Sequence, residues 1–157
     1  MNKKLLIGAI AAVAILVCFI FMSVIGNNER KVTYVIPDGK IGVFKIVLDP
    51  KSGSPLSKTP NGYICEFPDS GILKVPSFRQ FEKWHVVEGR YKSGKTIPYM
   101  LERSGEEGGV QTAIWPLSTT SDGITFILVG TREDFDKIID SDNRLQAFEA
   151  YAVWNRD

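Results

Sequence analysis

The sequence predicts a mainly β fold with minor α content, in which a β-sandwich-like antiparallel domain carries one or two C-terminal helices and is preceded by one transmembrane helix. Three observations indicate this: segments that alternate apolar and polar residues, turns rich in Asp and Gly between them, and a charge-free apolar run at the N-terminus. The predicted organisation is an anchor over residues 1–26, a linker over 27–31 and an extracytoplasmic β-rich domain over 32–157.

The apolar run covers Leu5 to Ile25, 21 residues without a charge. At about 1.5 Å per helical residue it reaches roughly 31 Å, the thickness of a hydrocarbon core. A cleavable signal peptide is the alternative, because Met1-Asn2-Lys3-Lys4 is a positive leader and Gly26 is a small residue suited to a cleavage site. The run exceeds the usual signal length of about 7 to 15 residues. We therefore expect an uncleaved anchor that contacts the lipid bilayer.

The charges that flank this run predict its orientation. Lys3, Lys4 and the free amino group are uncompensated, whereas Glu29 partly offsets Arg30 and Lys31. Positively charged flanks stay in the cytoplasm. The predicted localisation is therefore a single-pass protein of the cell membrane, with the N-terminus cytoplasmic and the C-terminal domain extracytoplasmic.

Strands are predicted wherever apolar residues alternate or β-branched residues cluster. Val43 to Leu48 alternates as a half-buried strand does, and Tyr63 to Phe67 alternates so that Cys65 points into the core. Thr125 to Val129 lacks polar alternation and is expected to be a central strand covered on both faces. Further strands are expected at Val32 to Ile36, Ile72 to Val75, Thr96 to Glu102 and Val110 to Trp115, the last closed by Pro116. In total we expect six to eight short strands.

Helix signals are concentrated near the C-terminus. Thr131 is a predicted N-cap, with Asp134 three residues later as a short capping-box acid. The inner face of that helix is expected to carry Phe135, Ile138 and Ile139. The stretch Arg144 to Trp154 suits either a helix or, in part, a strand, and its alanines favour the helix.

The charge balance excludes one class of partner. The whole chain has 19 Lys plus Arg and 18 Asp plus Glu. Because Lys3 and Lys4 precede the apolar run, residues 27–157 carry 17 basic and 18 acidic side chains, a net charge of −1. Nucleic-acid binding needs a clustered basic face. None is visible, so no nucleic-acid partner is predicted.

The sequence predicts no catalytic, cofactor-binding or metal-ligating residue, and no cofactor. Cys18 lies inside the apolar run, which leaves Cys65 without a partner for a disulfide framework or a cysteine zinc site, although an intermolecular bridge stays open. His85 is the single histidine. A Cys65–His85 pair, oriented by Asp69 or Glu82, is the one assembly suited to covalent catalysis.

Aromatic residues either build the core or line a partner surface, and core packing is the favoured interpretation. The six residues concerned are Phe78, Phe81, Trp84, Tyr91, Trp115 and Trp154. The first three follow an i, i+3, i+6 spacing that suits one or two helical turns packed on the core. An exposed tryptophan would instead indicate a partner surface.

Three segments resemble a family of bacterial membrane-anchored or lipoprotein-like β domains. They are YVIPDG at 34–39 followed by Ile41-Gly42, PDSGIL at 68–73 and FILVGT at 126–131. That family reads I-P-x-G-Y-x-G-W, then G-I-L, then F-F-V-G-T. Lys40 and Val43 depart from its tyrosine and tryptophan. The resemblance spans residues 33–131 and implies a bacterial origin and extracytoplasmic placement, but it assigns no functional residue.

These observations predict a noncatalytic, membrane-anchored envelope module that binds a protein, peptide or cell-wall component. An uncovered sheet edge or a contiguous apolar patch would support that function. The alternative is a small extracytoplasmic hydrolase or inhibitor-type protein whose site lies between Tyr63 and Tyr91, around Cys65 and His85.

Overall fold

A computed structural model describes residues 30–82, 84–100, 111–151 and 153–155 of the chain. The predicted anchor, Leu5 to Ile25, and the linker up to residue 29 lie outside the described residues. Within the described ranges, every helix is too short or too polar to cross a bilayer.

Ten strands and two short helices make up the described part of the chain. In chain order the elements are β1 (Lys31–Ile36), β2 (Lys40–Leu48), β3 (Ser57–Thr59), β4 (Gly62–Glu66), β5 (Ile72–Val75), β6 (Val86–Tyr91), β7 (Thr96–Ile97), β8 (Ala113–Thr119), β9 (Ile124–Gly130), α1 (Arg132–Ile139), α2 (Arg144–Ala150) and β10 (Trp154–Asn155). The first sheet has the order β3-β4-β1-β6-β7, and the second has the order β10-β2-β9-β8, with β5 also paired to β2. The protein is mainly β with two short C-terminal helices, as predicted.

The predicted antiparallel arrangement holds for only part of the fold, because both sheets are mixed. β1 runs parallel to β4 and to β6, and β2 runs parallel to β5. Alternation of apolar residues identifies a strand but not the direction of its neighbour. Here β1 belongs to the first sheet, β2 to the second, β4 to the first and β5 to the second again. Because successive segments change sheets, neighbours within one sheet come from distant parts of the chain and can run parallel.

A short backbone bridge joins the two sheets at one side. Ile114 of β8 donates to the Pro98 carbonyl at 2.7 Å, and Met100 donates to the Ile114 carbonyl at 2.9 Å. Tyr99 and Ile114 thereby form a parallel bridge just after β7 ends. The bridge links β7 to β8, so β5 and the β3–β4 pair lie at opposite ends of one run of paired strands.

Two apolar cores follow from this arrangement. The first core collects inward residues of both sheets, including Phe44, Phe67 and Ile127. The second core lies between the second sheet and the helices, and includes Phe126 and Phe148. Alternate residues of β9 contribute to different cores, which confirms that this strand is covered on both faces.

The C-terminal helices form largely as the sequence predicts. The Thr131 hydroxyl accepts from the Asp134 backbone, and the Asp134 carboxylate accepts from the Thr131 backbone, which completes the capping box. Phe135 stacks on Trp115 with ring centroids 4.8 Å apart. The helix expected from Arg144 ends at Ala150, and the chain then forms β10.

Two predicted strand boundaries need correction. β1 begins at Lys31, inside the predicted linker, because that residue pairs with strands on both sides. β8 continues through Pro116 to Thr119, and its register shifts between Pro116 and Ser118. Proline lacks an N–H, and sheets tolerate it at such irregularities.

The described residues from Phe78 to Glu82 form turns and bends where helical packing was predicted. The Ser77 hydroxyl accepts from the Arg79 backbone at 3.2 Å, and the Ser77 carbonyl accepts from the Gln80 side chain at 2.6 Å. Such local hydrogen bonds compete with helix formation. Phe78 and Phe81 nevertheless pack against the first core, as expected.

Candidate functional site

A surface cleft lies where β4 ends and β5 begins, and we call it the strand-edge cleft. Its volume is about 520 Å³. Two stretches of backbone form its walls, residues 66–68 and residues 72–74, and a loop after β2 and one lysine complete it. The lining residues are Ser52, Ser54, Glu66, Phe67, Pro68, Ile72, Leu73, Lys74 and Lys92.

Phe67 connects this cleft to the first core. Its side chain is fully buried, and its ring makes edge contacts with Phe44 at 5.2 Å and Tyr34 at 5.9 Å between centroids. The Phe67 N–H donates to the Val35 carbonyl at 2.9 Å, which extends the β1–β4 pairing by one residue. The apolar side of the cleft is therefore part of the rigid interior.

A loop fastened by Asp49 forms another side of the cleft. One Asp49 carboxylate oxygen accepts from the backbone N–H groups of Lys51 and Ser52, and the other accepts from the Ser52 hydroxyl. These hydrogen bonds, those from Ser52 first, hold the pKa of the Asp49 carboxyl well below its usual range. Ser54 then donates to the Lys74 carbonyl at 3.0 Å, which places the loop against the outer edge of β5.

The outer edge of β5 is only partly covered by that loop. Backbone polar groups alternate in direction along a strand. The carbonyls of Gly71 and Val75 accept from β2 and the residue after it, so Ile72 and Lys74 direct their backbone groups away from β2. The Ser54 N–H donates to the Lys74 carbonyl, and the Ile72 N–H donates only to the Ser70 hydroxyl, at 3.5 Å. Among the residues that the structure describes, the Ile72 carbonyl and the Lys74 N–H have no partner.

The end of β4 is open in the same way. Asn61 and Phe67 bond to β1 through their backbone groups, so Glu66, which is out of phase with them, directs its N–H and carbonyl away from β1. β3 pairs only with Gly62 to Ile64 and stops before Glu66. Neither backbone group of Glu66 has a partner in the described ranges. Two uncovered strand edges therefore contribute residues to the same cleft.

Two exposed ion pairs lie at the rim of the cleft. Lys92 Nζ lies 3.4 Å from Glu66 Oε1, and Lys74 Nζ lies 3.3 Å from Asp49 Oδ2. Pairs of this exposure contribute about 0 to 1 kcal/mol each. A ligand that carries its own charges can therefore exchange partners with them at little cost.

The Cys65–His85 pair on which the hydrolase alternative depends does not form. Cys65 is level with Tyr34 on one side of β1, whereas Val86, the neighbour of His85, is level with Lys31 on the other side. The two residues are therefore separated by roughly 13 Å along the strands and roughly 10 Å across them. His85 instead meets the Phe81 ring, with centroids 6.1 Å apart. The hydrolase alternative loses its nucleophile and base.

Burial protects the Cys65 thiol from alkylation. The side chain has no exposed area, and desolvation raises the thiol pKa to about 12. Because only the thiolate reacts, we expect iodoacetamide at about pH 8 to label Cys65 in unfolded protein only. Mass spectrometry of the peptide that contains Cys65 measures this without interference from Cys18. Comparable labelling rates in buffer and in urea would contradict the buried position.

The structure also bears on two other groups of residues considered in the sequence analysis, the possible metal ligands and the aromatic side chains. No group of three or more His, Cys, Asp or Glu side chains in the described ranges is placed to hold a metal ion. Trp115 is buried, whereas Trp84 is 75% exposed. Core packing therefore accounts for most of the described aromatic residues, and Trp84 is the exception.

Sequence reasoning missed the strand-edge cleft, because its open backbone groups come from pairing between distant segments.

Comparison with known proteins gives one structural neighbour. It is a crystal structure named Putative Lipoprotein from Bacillus anthracis, 14% identical, with a TM-score of 0.38 over 80% of this chain and 82% of that chain. No family model matches the chain, and no curated protein matches it. The family resemblance therefore stays a prediction.

Proposed function

We propose that the chain is a noncatalytic, membrane-anchored module of the bacterial envelope, which binds an extended peptide segment of a partner protein in the strand-edge cleft. The observation that carries this proposal is the pair of uncovered backbone groups on β5, the Ile72 carbonyl and the Lys74 N–H. An added strand gains affinity from main-chain hydrogen bonds and specificity from side-chain pockets.

The spacing of these groups favours a peptide over other envelope components. The Ile72 carbonyl and the Lys74 N–H flank Leu73. In an added parallel strand, the residue opposite Leu73 donates its N–H to the Ile72 carbonyl and accepts from the Lys74 N–H with its own carbonyl. Cell-wall sugars offer hydroxyl groups but no regular alternation of donor and acceptor. Leu73, which is half-buried, and Ile72, which is 42% exposed, supply apolar contact for the side chains of the peptide.

The anchor in this proposal comes from the sequence. The charge-free run Leu5 to Ile25 supports a bilayer span, and Lys3 and Lys4 support a cytoplasmic N-terminus. These two features support localisation in the cell membrane with an extracytoplasmic domain.

Replacement of Lys74 by proline tests strand addition directly. Lys74→Pro removes the free N–H without breaking a backbone hydrogen bond of the described fold, and proline is tolerated on an edge strand. Lys74→Ala removes the same ammonium but keeps the N–H, so it is the matched control. A photo-crosslinking amino acid is placed at position 72 and activated in cells. It is expected to give a discrete adduct with a partner protein when position 74 is lysine and also in the Lys74→Ala variant. We expect at least about a tenfold lower yield with Lys74→Pro, since each tenfold corresponds to about 1.4 kcal/mol, the scale of one lost hydrogen bond.

Two controls make the result decisive. A crosslinker at Leu145, which is 58% exposed on α2, reports contacts unrelated to the cleft. The pair Glu66→Pro and Glu66→Ala repeats the comparison on the opposite wall if Lys74→Pro does not fold. Equal yields from the proline and alanine variants, or the same adduct from position 145, would exclude strand addition at this cleft.

A further inference from the structure

Trp84 is the most exposed of the large apolar side chains that the structure describes. It is 75% exposed, compared with 58% for Leu145, 42% for Ile72 and 37% for Leu48. An indole in water forgoes the stabilisation of apolar burial, yet its N–H disfavours a fully apolar site. Both ends of such a side chain are satisfied at a membrane–water interface, where tryptophan is enriched.

The strand register places Trp84 at the end of the first sheet where β1 begins. Val86, two residues after Trp84, pairs with Lys31, the first residue of β1, and the two strands run parallel. Gly62 is level with Lys31 on the other side, so the turn before β4 lies at the same end.

The same end is close to the predicted membrane span along the chain. Five residues, 26–30, separate Ile25 from Lys31. The six steps from Ile25 to Lys31 reach at most about 22 Å when fully extended. The headgroup region itself takes up about 5 to 8 Å on each side of the hydrocarbon core. If the anchor spans the bilayer, this length limits how far the beginning of β1 can lie from the membrane surface.

We propose that Trp84 inserts its indole into the headgroup region of the adjacent leaflet, so that the end of the first sheet where β1 begins rests on the lipid surface. This inference depends on the anchor in the proposed function but not on peptide binding. Glu66, in the strand-edge cleft, is level with Val35 near the far end of β1. Val35 is four positions after Lys31, so the cleft lies roughly 13 Å along the strands from the end that is proposed to rest on the membrane, and it stays accessible to a partner.

Quenching by brominated lipid tests the contact in the full chain. The three tryptophans, Trp84, Trp115 and Trp154, all follow the predicted span, so fluorescence of protein reconstituted in phosphatidylcholine vesicles reports only on the domain. With dibrominated acyl chains near the headgroup, we expect up to about a third of the emission to be quenched. Trp84→Ala is expected to abolish the quenched fraction, and Leu145→Ala is expected to preserve it.

Two results would overturn the inference: wild-type emission that brominated lipid does not change, or equal quenching in Trp84→Ala. Extraction of the same vesicles with alkaline carbonate separates this inference from the anchor. Protein that stays in the membrane without quenching refutes the Trp84 contact alone, whereas protein released by carbonate refutes the anchor. Neither result bears on the Lys74→Pro comparison.

Discussion

Phe67→Ala is expected to lower the free energy of unfolding by about 3 to 5 kcal/mol, the range for truncation of a buried phenylalanine. The ring is fully buried and contacts Phe44 and Tyr34 edge to face. Removal of the ring leaves a cavity between the two sheets, next to the strand-edge cleft. Urea unfolding of the detergent-solubilised full chain, followed by tryptophan fluorescence, measures the loss.

Two control variants set the scale for the loss of stability in Phe67→Ala, one conservative at the same position and one at a distant exposed position. Phe67→Leu keeps most of the volume, so it is expected to cost about 1 to 1.5 kcal/mol. Leu145→Ala, on an exposed position of α2, is expected to change stability by less than about 0.5 kcal/mol. A cost below about 1.5 kcal/mol for Phe67→Ala would mean that Phe67 does not bridge the sheets.

Gly71→Ala is expected to destabilise the fold by about 2 to 4 kcal/mol. Gly71 has a φ of +72°, where a side chain costs about 1 to 2 kcal/mol. An added Cβ would also lie 2.2 Å from Val153 Cγ2. Overpacking of this kind costs about 1 to 3 kcal/mol, partly relieved when the valine moves.

Gly39 is the matched control, because its φ is +70° and nothing lies within 4 Å of an added Cβ. Gly39→Ala therefore measures the backbone cost alone, about 1 to 2 kcal/mol. The double variant Gly71→Ala with Val153→Ala is expected to remove the clash. Its loss of stability should therefore be smaller than the sum of the losses in the two single variants, as a double-mutant cycle measures. Equal costs at positions 39 and 71 would show that Val153 accommodates the methyl group without strain.

The sequence predicts the parts of the fold that depend on local chemistry. The capping box of α1 uses Thr131 and Asp134, which are three residues apart, so neighbouring residues alone determine it. β9 is recognisable because TFILV lacks polar residues, and the structure covers both faces of it. Gly39 and Gly71, each preceded within two residues by an aspartate, mark turns with positive φ.

Strand direction and the cleft depend on distant partners, and the sequence alone does not reveal them. β5 pairs with β2 in parallel because the chain changes sheets between them, and no local pattern encodes that change. The open groups of Ile72 and Lys74 are visible only once β2 is known to lie on the other edge. The i, i+3, i+6 spacing that ends at Trp84 is misleading for a different, local reason. The Phe81 N–H donates to the Phe78 carbonyl in a tight turn, and Ser77 accepts from its near neighbours, so the helix does not continue.

The pairing of Trp154 with Ile41 has a consequence for folding. β10 adds to β2, which lies 113 residues earlier in the sequence, so the second sheet is completed only when these two distant segments meet. Contacts this distant in sequence make folding slow. The native topology therefore closes only after the polypeptide up to residue 155 is free to pair, and until then the backbone groups of β2 that β10 covers stay open to other strands.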